Sequence, residues 1–405
     1  MLPINSLAAR ASSVYVHQDL LVTRPSDRPA ITSHGVSCCR GQPPSTGRVS
    51  RGVCLHCAHD SGSCNVHQRL HRRGCPGADA PDRPDHQLAE FQHVFGGLHT
   101  NLELGYAVRL FFDNGGTNSY VVRVHDQTEV PKGLSLLDVA ASTAVLCLPG
   151  CFDVATLEAA TAYCDQRRIF LLVDPPSSDV AATKGLAAAL QATGTSNAAV
   201  YFPQISIADP TSPHAPRLSS PSGAVAGMVA RTDTNRGVWT APAGMDAQLM
   251  GVLSLPFAID QTAAASLAAA GVNSIRSVPQ SGIVVWAAQT VSSQDQWKYV
   301  PVRRLTLFIE RSLVSGLQWA IFEPNNDPLW AQLAIHVSSF LSTLWHQGAF
   351  SGKTQQEAYL VKSGREVMTQ NDIDQGAAIV VADFAPVNTT ETVALKITVQ
   401  TSLQC

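Results

Sequence analysis

The chain has 405 residues, 45% of them hydrophobic and 15% charged, with a formal charge of −3. That is apolar material for one large domain or two to three ordinary ones, and the near-neutral balance leaves no global basic field to hold nucleic acid. No apolar run reaches the roughly 18 residues that cross a bilayer, and residues 1–10 (MLPINSLAAR) lack a charged start and a long apolar core, so the expectation is cytoplasmic assembly without direct membrane insertion.

Residues 34–87 differ from everything after them. They hold six of the ten cysteines and seven arginines, no lysine, tyrosine or tryptophan, and six residues of the Leu/Ile/Val/Met/Phe set: Val36, Val49, Val53, Leu55, Val66 and Leu70. Such a segment buries too little apolar area to offset an ordering cost of about 1–2 kcal/mol per residue, and it is expected to lack packed structure. Cys54-x2-Cys57 is a legitimate zinc half-site that His67 and Cys75 could complete, although the second half keeps no standard spacing. The joint rise of Arg, Cys, His, Pro and Ser is also what a GC-rich coding sequence yields when read out of frame.

From Leu88 the pattern changes. AVRLFF (residues 107–112), the turn 113–116 (DNGG) and YVVRVH (residues 120–125) read as strand, turn and strand. AVLCLP, IFLLVDPP and NAAVYFPQISI then read as strands, separated by helices over DVATLEAATAYCDQRR, with Asp153 as N-cap, and DVAATKGLAAALQATG, ending at Gly194. Strands alternating with helices of this length predict right-handed βαβ units and a parallel sheet buried on both faces. Asp209 to Gly244, rich in Pro, Ser, Gly and Thr, reads as long surface loops, and GIVVWAAQT (residues 282–290) as a strand. YVPVRRLTLFIERSLVSGLQW predicts an amphipathic helix. A second begins at Asp327-Pro328, carries the stripe Leu329, Leu333, Val337, Phe340, Leu341 and Leu344, and ends at Gly348. TVALKITVQ near the end alternates strictly, with Val393, Leu395, Ile397 and Val399 on one side.

Chemistry has few candidates. GAFSGKT (residues 348–354) is not a phosphate loop: its first glycine is one residue too close, and a helix rather than a strand precedes it. Asp174, after IFLLV, stands where α/β enzymes place carboxylates, with a turn residue before Pro175-Pro176 as the plainer reading. There is no nucleophile elbow and no dinucleotide fingerprint. Cys147 and Cys164 read as small apolar core residues, and His336 as a packed helix residue. Arg303 and Arg304 read as a solvated helix face, with contact to an acidic partner as the alternative.

Several long blocks nevertheless carry a family resemblance: FFDNGGTNSYVVRV (residues 111–124), PSGAVAGMVARTDTNRGVWTAPAG (residues 221–244), WKYVPVRRLTLFIERSL (residues 297–313), FEPNNDPLWAQL (residues 322–333), QGAFSGKTQQEAYLVK (residues 347–362) and TQNDIDQG (residues 369–376). In this order they resemble the tail sheath proteins of contractile phages and of phage-tail-like contractile injection systems. The resemblance implies a non-catalytic subunit without cofactor that forms hexameric rings stacked as a helical sheath around an inner tube protein. It also implies baseplate and tail-terminator partners, and contraction that drives the tube through a target envelope. It implies terminal arms that add strands to neighbouring subunits: Val393, Leu395, Ile397 and Val399 at the C-terminus, and Val14, Tyr15 and Val16 as the remnant of the N-terminal arm. Here no glycine precedes Val14, and the sixty-odd residues that follow match no family block.

The expected organisation is an atypical arm (1–33), the Cys/His/Arg-rich segment (34–87), an α/β core with a parallel-rich sheet flanked by helices (88–290), and an α+β C-terminal domain (291–405) ending in an inter-subunit strand. Two other readings stay open on the residues alone: an α/β hydrolase-like enzyme built around Asp174, and a zinc-binding module using Cys54, Cys57, His67 and Cys75.

Overall fold

Short runs that are apolar at every position form the centre of the protein. The computed structural model describes residues 53–57, 84–124, 126–139, 144–212, 215–387 and 392–401. Within them, the strands in chain order are β1 (Val53–Cys57), β2 (Tyr120–Val124), β3 (Val145–Cys147), β4 (Phe170–Val173), β5 (Ala198–Phe202), β6 (Ile205–Ile207), β7 (Arg217–Ser219), β8 (Val252–Ser254), β9 (Val272–Val278), β10 (Gly282–Val285), β11 (Tyr359–Ser363), β12 (Ala377–Phe384) and β13 (Val393–Gln400). The main sheet runs β10-β9-β5-β4-β3-β1-β2, parallel throughout except for the antiparallel edge strand β10.

The helices are α1 (Pro84–Phe95), α2 (Glu103–Asp113), α3 (Val130–Leu136), α4 (Val154–Arg167), α5 (Val180–Ala192), α6 (Ser222–Arg236), α7 (Gln261–Ala269), α8 (Val300–Gly316), α9 (Asp327–His346), α10 (Gln355–Ala358) and α11 (Gln370–Asp374). Successive strand residues supply opposite faces of the main sheet. Phe170, Leu172, Ala199 and Tyr201 join a core with α2 and α6, while Leu171, Val173, Val200 and Phe202 join a second core with α3, α4, α5 and α7. The expected α/β layering follows, with the helices set by their caps. Asp153 accepts from Thr156 N–H at 2.9 Å, and Asp179 from the Ala181 and Ala182 N–H groups. The second amphipathic helix takes Asn326 rather than Asp327 as its cap.

Two expectations are overturned. Residues 107–112 are not a strand but lie inside α2, whose side chains are buried almost all round; six residues are too short a run for the helical period, which emerges over the whole of Glu103–Asp113. Asp209 to Gly244 is not a loop region: it contains β7 and the fifteen-residue α6. Its small residues serve contact. A Cβ at Gly223 would sit 2.3 Å from the Ala107 carbonyl oxygen, and one at Gly227 2.2 Å from that of Phe111, so α2 and α6 touch backbone to backbone. Of the segment 34–87, expected to lack packed structure, residues 53–57 form β1, which pairs with β2 over five residues and with β3 over two, and α1 begins at Pro84; the rest of the segment lies outside the described residues. Composition averaged over 54 residues conceals one five-residue strand.

The C-terminal sheet, β11-β12-β13, is antiparallel and packs on α8 and α9 in a third core. Helix α8 joins the two halves. Val300 and Leu307 belong to the core shared with the main sheet, whereas Val302, Leu305, Ile309 and Leu313 belong to the C-terminal core.

Glycine contact at α2/α6 has a measurable consequence. Gly227→Ala drives a methyl group into backbone and is expected to cost about 1–3 kcal/mol. Gly185→Ala, on α5 with nothing within 4 Å of the added Cβ, is expected to stabilise by up to about 1 kcal/mol. Urea unfolding of the two variants checks the opposite signs.

Candidate assembly interface

The alternating C-terminal run forms β13. Val393, Leu395, Ile397 and Val399 are buried and Ala394, Lys396, Thr398 and Gln400 exposed, as the pattern predicts. The strand lies on this chain's own β12, in register over eight residues from Ala377↔Gln400 to Phe384↔Val393. The four residues expected to bond a neighbouring subunit therefore fill their own core in the single chain, because their apolar face completes the layer over α8 and α9. Thr401 N–H donates to the Gly376 carbonyl at 2.8 Å, which fixes the parity of the ladder. Residues 393, 395, 397 and 399 exchange bonds with β12, so the backbone N–H and C=O groups of Ala394, Lys396, Thr398 and Gln400 point off the sheet. Among the described residues no strand pairs with that edge. It carries one charge, Lys396, and neither proline nor bulge, so it has few of the devices that blunt an edge.

Arg303 and Arg304 are not a solvated face. Arg304 is 5% exposed and makes a two-pronged pair with Asp233 of α6, at 2.9 and 2.5 Å. Arg303 donates to Asn197 Oδ1 at 2.6 Å, with its guanidinium 4.5 Å from the Trp297 ring centroid, and Asn197 in turn donates to Asp165 at 2.6 Å. Burial pushes the Asp165 carboxyl up. Arg168, left-handed at φ 56° where α4 ends, reaches Glu310 at 3.2 Å. Helix α8 is thus tied to α4, β5 and α6 by polar contacts beneath its apolar ones. Sequence reasoning missed Asp233 because it lies in the stretch read as loop, and missed Asn197 because no local pattern marks a partner 106 residues away.

Asp174 follows β4 and is 1% exposed. It accepts from Ser222 N–H and Ser222 Oγ, each at 2.8 Å, and from Gly150 N–H at 3.3 Å. Glu103 holds the preceding residues, accepting from Ser219 Oγ, Ser220 N–H and Arg217. Two carboxylates therefore grip the turn that starts α6, where aligned N–H groups favour negative charge. Burial pushes the Asp174 carboxyl up to about 7, against the pull of its Ser222 bonds, with the Glu103 charge adding to the rise. The carboxylate and its serine partner are sealed from solvent, so the pair braces the fold and meets no substrate.

The remaining candidates are scattered. Cys54 and Cys57 lie in β1, whereas His67, Cys75, Val14, Tyr15 and Val16 fall outside the described residues. Among the described residues no group of three or more His, Cys, Asp and Glu side chains converges on a metal-sized site. Cys147 and Cys164 are buried in the two cores of the main sheet. His336 packs on Trp319 with ring centroids 5.1 Å apart, and burial pulls its imidazole down. In GAFSGKT, Thr354 caps the short α10 with Glu357 in a reciprocal box.

The fold has counterparts among known proteins. Residues 139–291 match the phage tail sheath protein central domain, and residues 292–400 the phage tail sheath C-terminal domain. A chain in the cryo-EM structure of the anti-feeding prophage (AFP) baseplate, 6-fold symmetrised, is 31% identical over 72% of this chain and 79% of that one, with a TM-score of 0.61. The chain belongs to the phage tail sheath family. Two further sheath structures cover 91% of it: the AFP helical sheath in its contracted state, at 27% identity, 99% of that chain and a TM-score of 0.67, and the PVC sheath complex of an extracellular contractile injection system, also contracted, at 28%, 98% and 0.65. A prophage major tail sheath protein of Pseudomonas aeruginosa (strain UCBPP-PA14) is 25% identical over 186 residues, which are 45% of this chain; the match spans about half, 47%, of that curated relative. Sheath proteins are structural, so the hydrolase reading of Asp174 falls away, and its brace of α6 takes that reading's place.

Two expected outcomes follow for this sheath protein. Arg304→Met leaves Asp233 buried without its partner and is expected to cost about 3–5 kcal/mol, whereas adding Asp233→Leu recovers most of the loss; a double-mutant cycle by denaturant unfolding reads this. For Asp174, a carboxyl that titrates near 7 when folded and near 3.8 when unfolded contributes fully below about pH 4 and loses that contribution as pH rises through 7. Asp174→Asn is therefore expected to gain on the wild type between pH 4 and 8, by up to roughly 4 kcal/mol, in parallel melting series.

Proposed function

We propose that this chain is the sheath subunit of a contractile phage tail or phage-tail-like injection particle. Copies stack as hexameric rings into a helical sheath around an inner tube, and repacking between copies shortens the array and drives the tube outward. The observation that carries this is the alignment with nearly the whole AFP sheath chain, 99% of it, in its contracted helical assembly. The baseplate match supports a baseplate partner as well. The inner tube protein, the tail terminator and cytoplasmic assembly belong to the same reading.

Contraction asks that subunit bodies shift while the array stays connected. Helix α8, with a core on each side and buried polar ties, suits a body that moves as a unit, and interfaces between bodies then change in steps rather than by deformation. Connection is supplied by β13. We read its position on β12 as one of two equivalent seats, the other being the β12 of a neighbour. The bonds made are the same in either seat, so exchange costs little enthalpy and links the copies.

A cysteine pair across the ladder tests both parts. Asp383 and Ala394 face each other at a position that does not exchange hydrogen bonds, where Cα atoms stand about 4.5 Å apart, within disulfide range. With the inner tube protein present, the wild-type chain is expected to form striated cylinders in negative-stain images. The oxidised Asp383→Cys/Ala394→Cys chain is expected to remain as discrete particles until reduced. Discrete wild-type particles would overturn the sheath reading, and cylinders from the oxidised variant would overturn strand exchange alone.

A further inference from the structure

Between α8 and α9 the chain makes a short helical turn, Gln318–Phe322, that lies against β13. Its inner residue Ala320 is buried in the C-terminal core, and Ile321 and Phe322 face outward, with Phe322 83% exposed. No other large apolar side chain among the described residues is as bare. The turn is not loose. Asn325, three residues on, donates to the carbonyls of Ile373 and Ala377 and accepts from the Trp330 indole at 2.7 Å, which pins the loop to the sheet end where Ala377 faces Gln400. A rigidly presented phenyl ring in water forgoes the burial that favours most phenylalanines, and Ile321 beside it adds to the apolar surface it offers.

We infer that the Ile321–Phe322 turn is the apolar anchor that holds a second copy of this chain at the open edge of β13. Two features choose the occupant. The strand that the turn contacts has an open edge with the outward N–H and C=O groups of Ala394, Lys396, Thr398 and Gln400, and only an extended backbone satisfies a row of alternating donors and acceptors. The surface is also continuous with the strand through which copies are proposed to connect, so the inference rests on the sheath reading and adds the side chains that fix where the neighbour sits. Main-chain bonds alone fix neither position nor register; a ring inserted into the neighbour supplies both, as buried aromatic anchors do in other interfaces.

The test is Phe322→Ser, with Leu253→Ser as the matched control: Leu253 is 61% exposed on β8, in the central domain. Both variants and the wild type are brought to the same folded state, checked by melting, and titrated for polymer with the inner tube protein by sedimentation and electron microscopy. The expected result is a critical concentration raised at least about tenfold by Phe322→Ser and unchanged by Leu253→Ser. Equal critical concentrations for Phe322→Ser and wild type would overturn the anchor while leaving the sheath reading intact, as would equal losses in both variants. Loss of tube binding with normal sheath formation would assign the ring to the tube instead. Failure of the wild type to polymerise at all would overturn the sheath reading, and the anchor with it.

Discussion

The organisation of this protein depends on one helix having two insides. Helix α8 gives Val300 and Leu307 to the central core and Val302, Leu305, Ile309 and Leu313 to the C-terminal one, so neither half closes its core without it. Apolar contact alone would tolerate some rotation of such a helix. The Arg304–Asp233 pair does not, because two charges withdrawn from water must meet in one geometry or leave a penalty of several kcal/mol. Arg303, through Asn197, and Glu310, through Arg168, extend the same demand along the helix. The pairing sets which residues of α8 face which core, and the orientation of the C-terminal sheet against the main one follows from it.

Legibility in the sequence tracked the type of packing. Strands buried on both faces, such as Phe170–Val173, and helices with one apolar stripe, such as Asp327–His346, follow directly from periodicity and caps. Helix α2 did not, since its apolar run of six residues is too short to separate a strand from a helix, and the Asn-Gly after it looked like a hairpin. Asn114 in fact closes the helix, donating to Leu110 and bonding Met250 in both directions. Helix α6 was hidden for the opposite reason: residues selected for smallness at a backbone contact give a composition that resembles a loop. The proposed assembly surface was half legible. Alternation identified β13 and its buried face, but which sheet receives the strand is a matter of chain connection, on which side-chain pattern is silent. Phe322 had no signal at all, since exposure of a single aromatic residue is a property of the folded turn.

The anomalous stretch before Leu88 has a part in the sheet despite its composition. Backbone pairing on both sides of β1 asks only for a short extended run, and Val53–Cys57 supplies one between β2 and β3. The family profiles begin at residue 139, well after it, so that strand belongs to the portion of the chain where local structure speaks and family pattern does not.

Parity along β13 has a consequence for how such a surface changes over generations. The residues whose amides and carbonyls point outward are the same ones whose side chains stand in water, and the residues bonded to β12 are those that fill the core. In the proposed assembly, replacing Ala394, Lys396 or Thr398 therefore adjusts how strongly the rim adheres without disturbing how the domain folds, and selection can tune the one trait almost independently of the other.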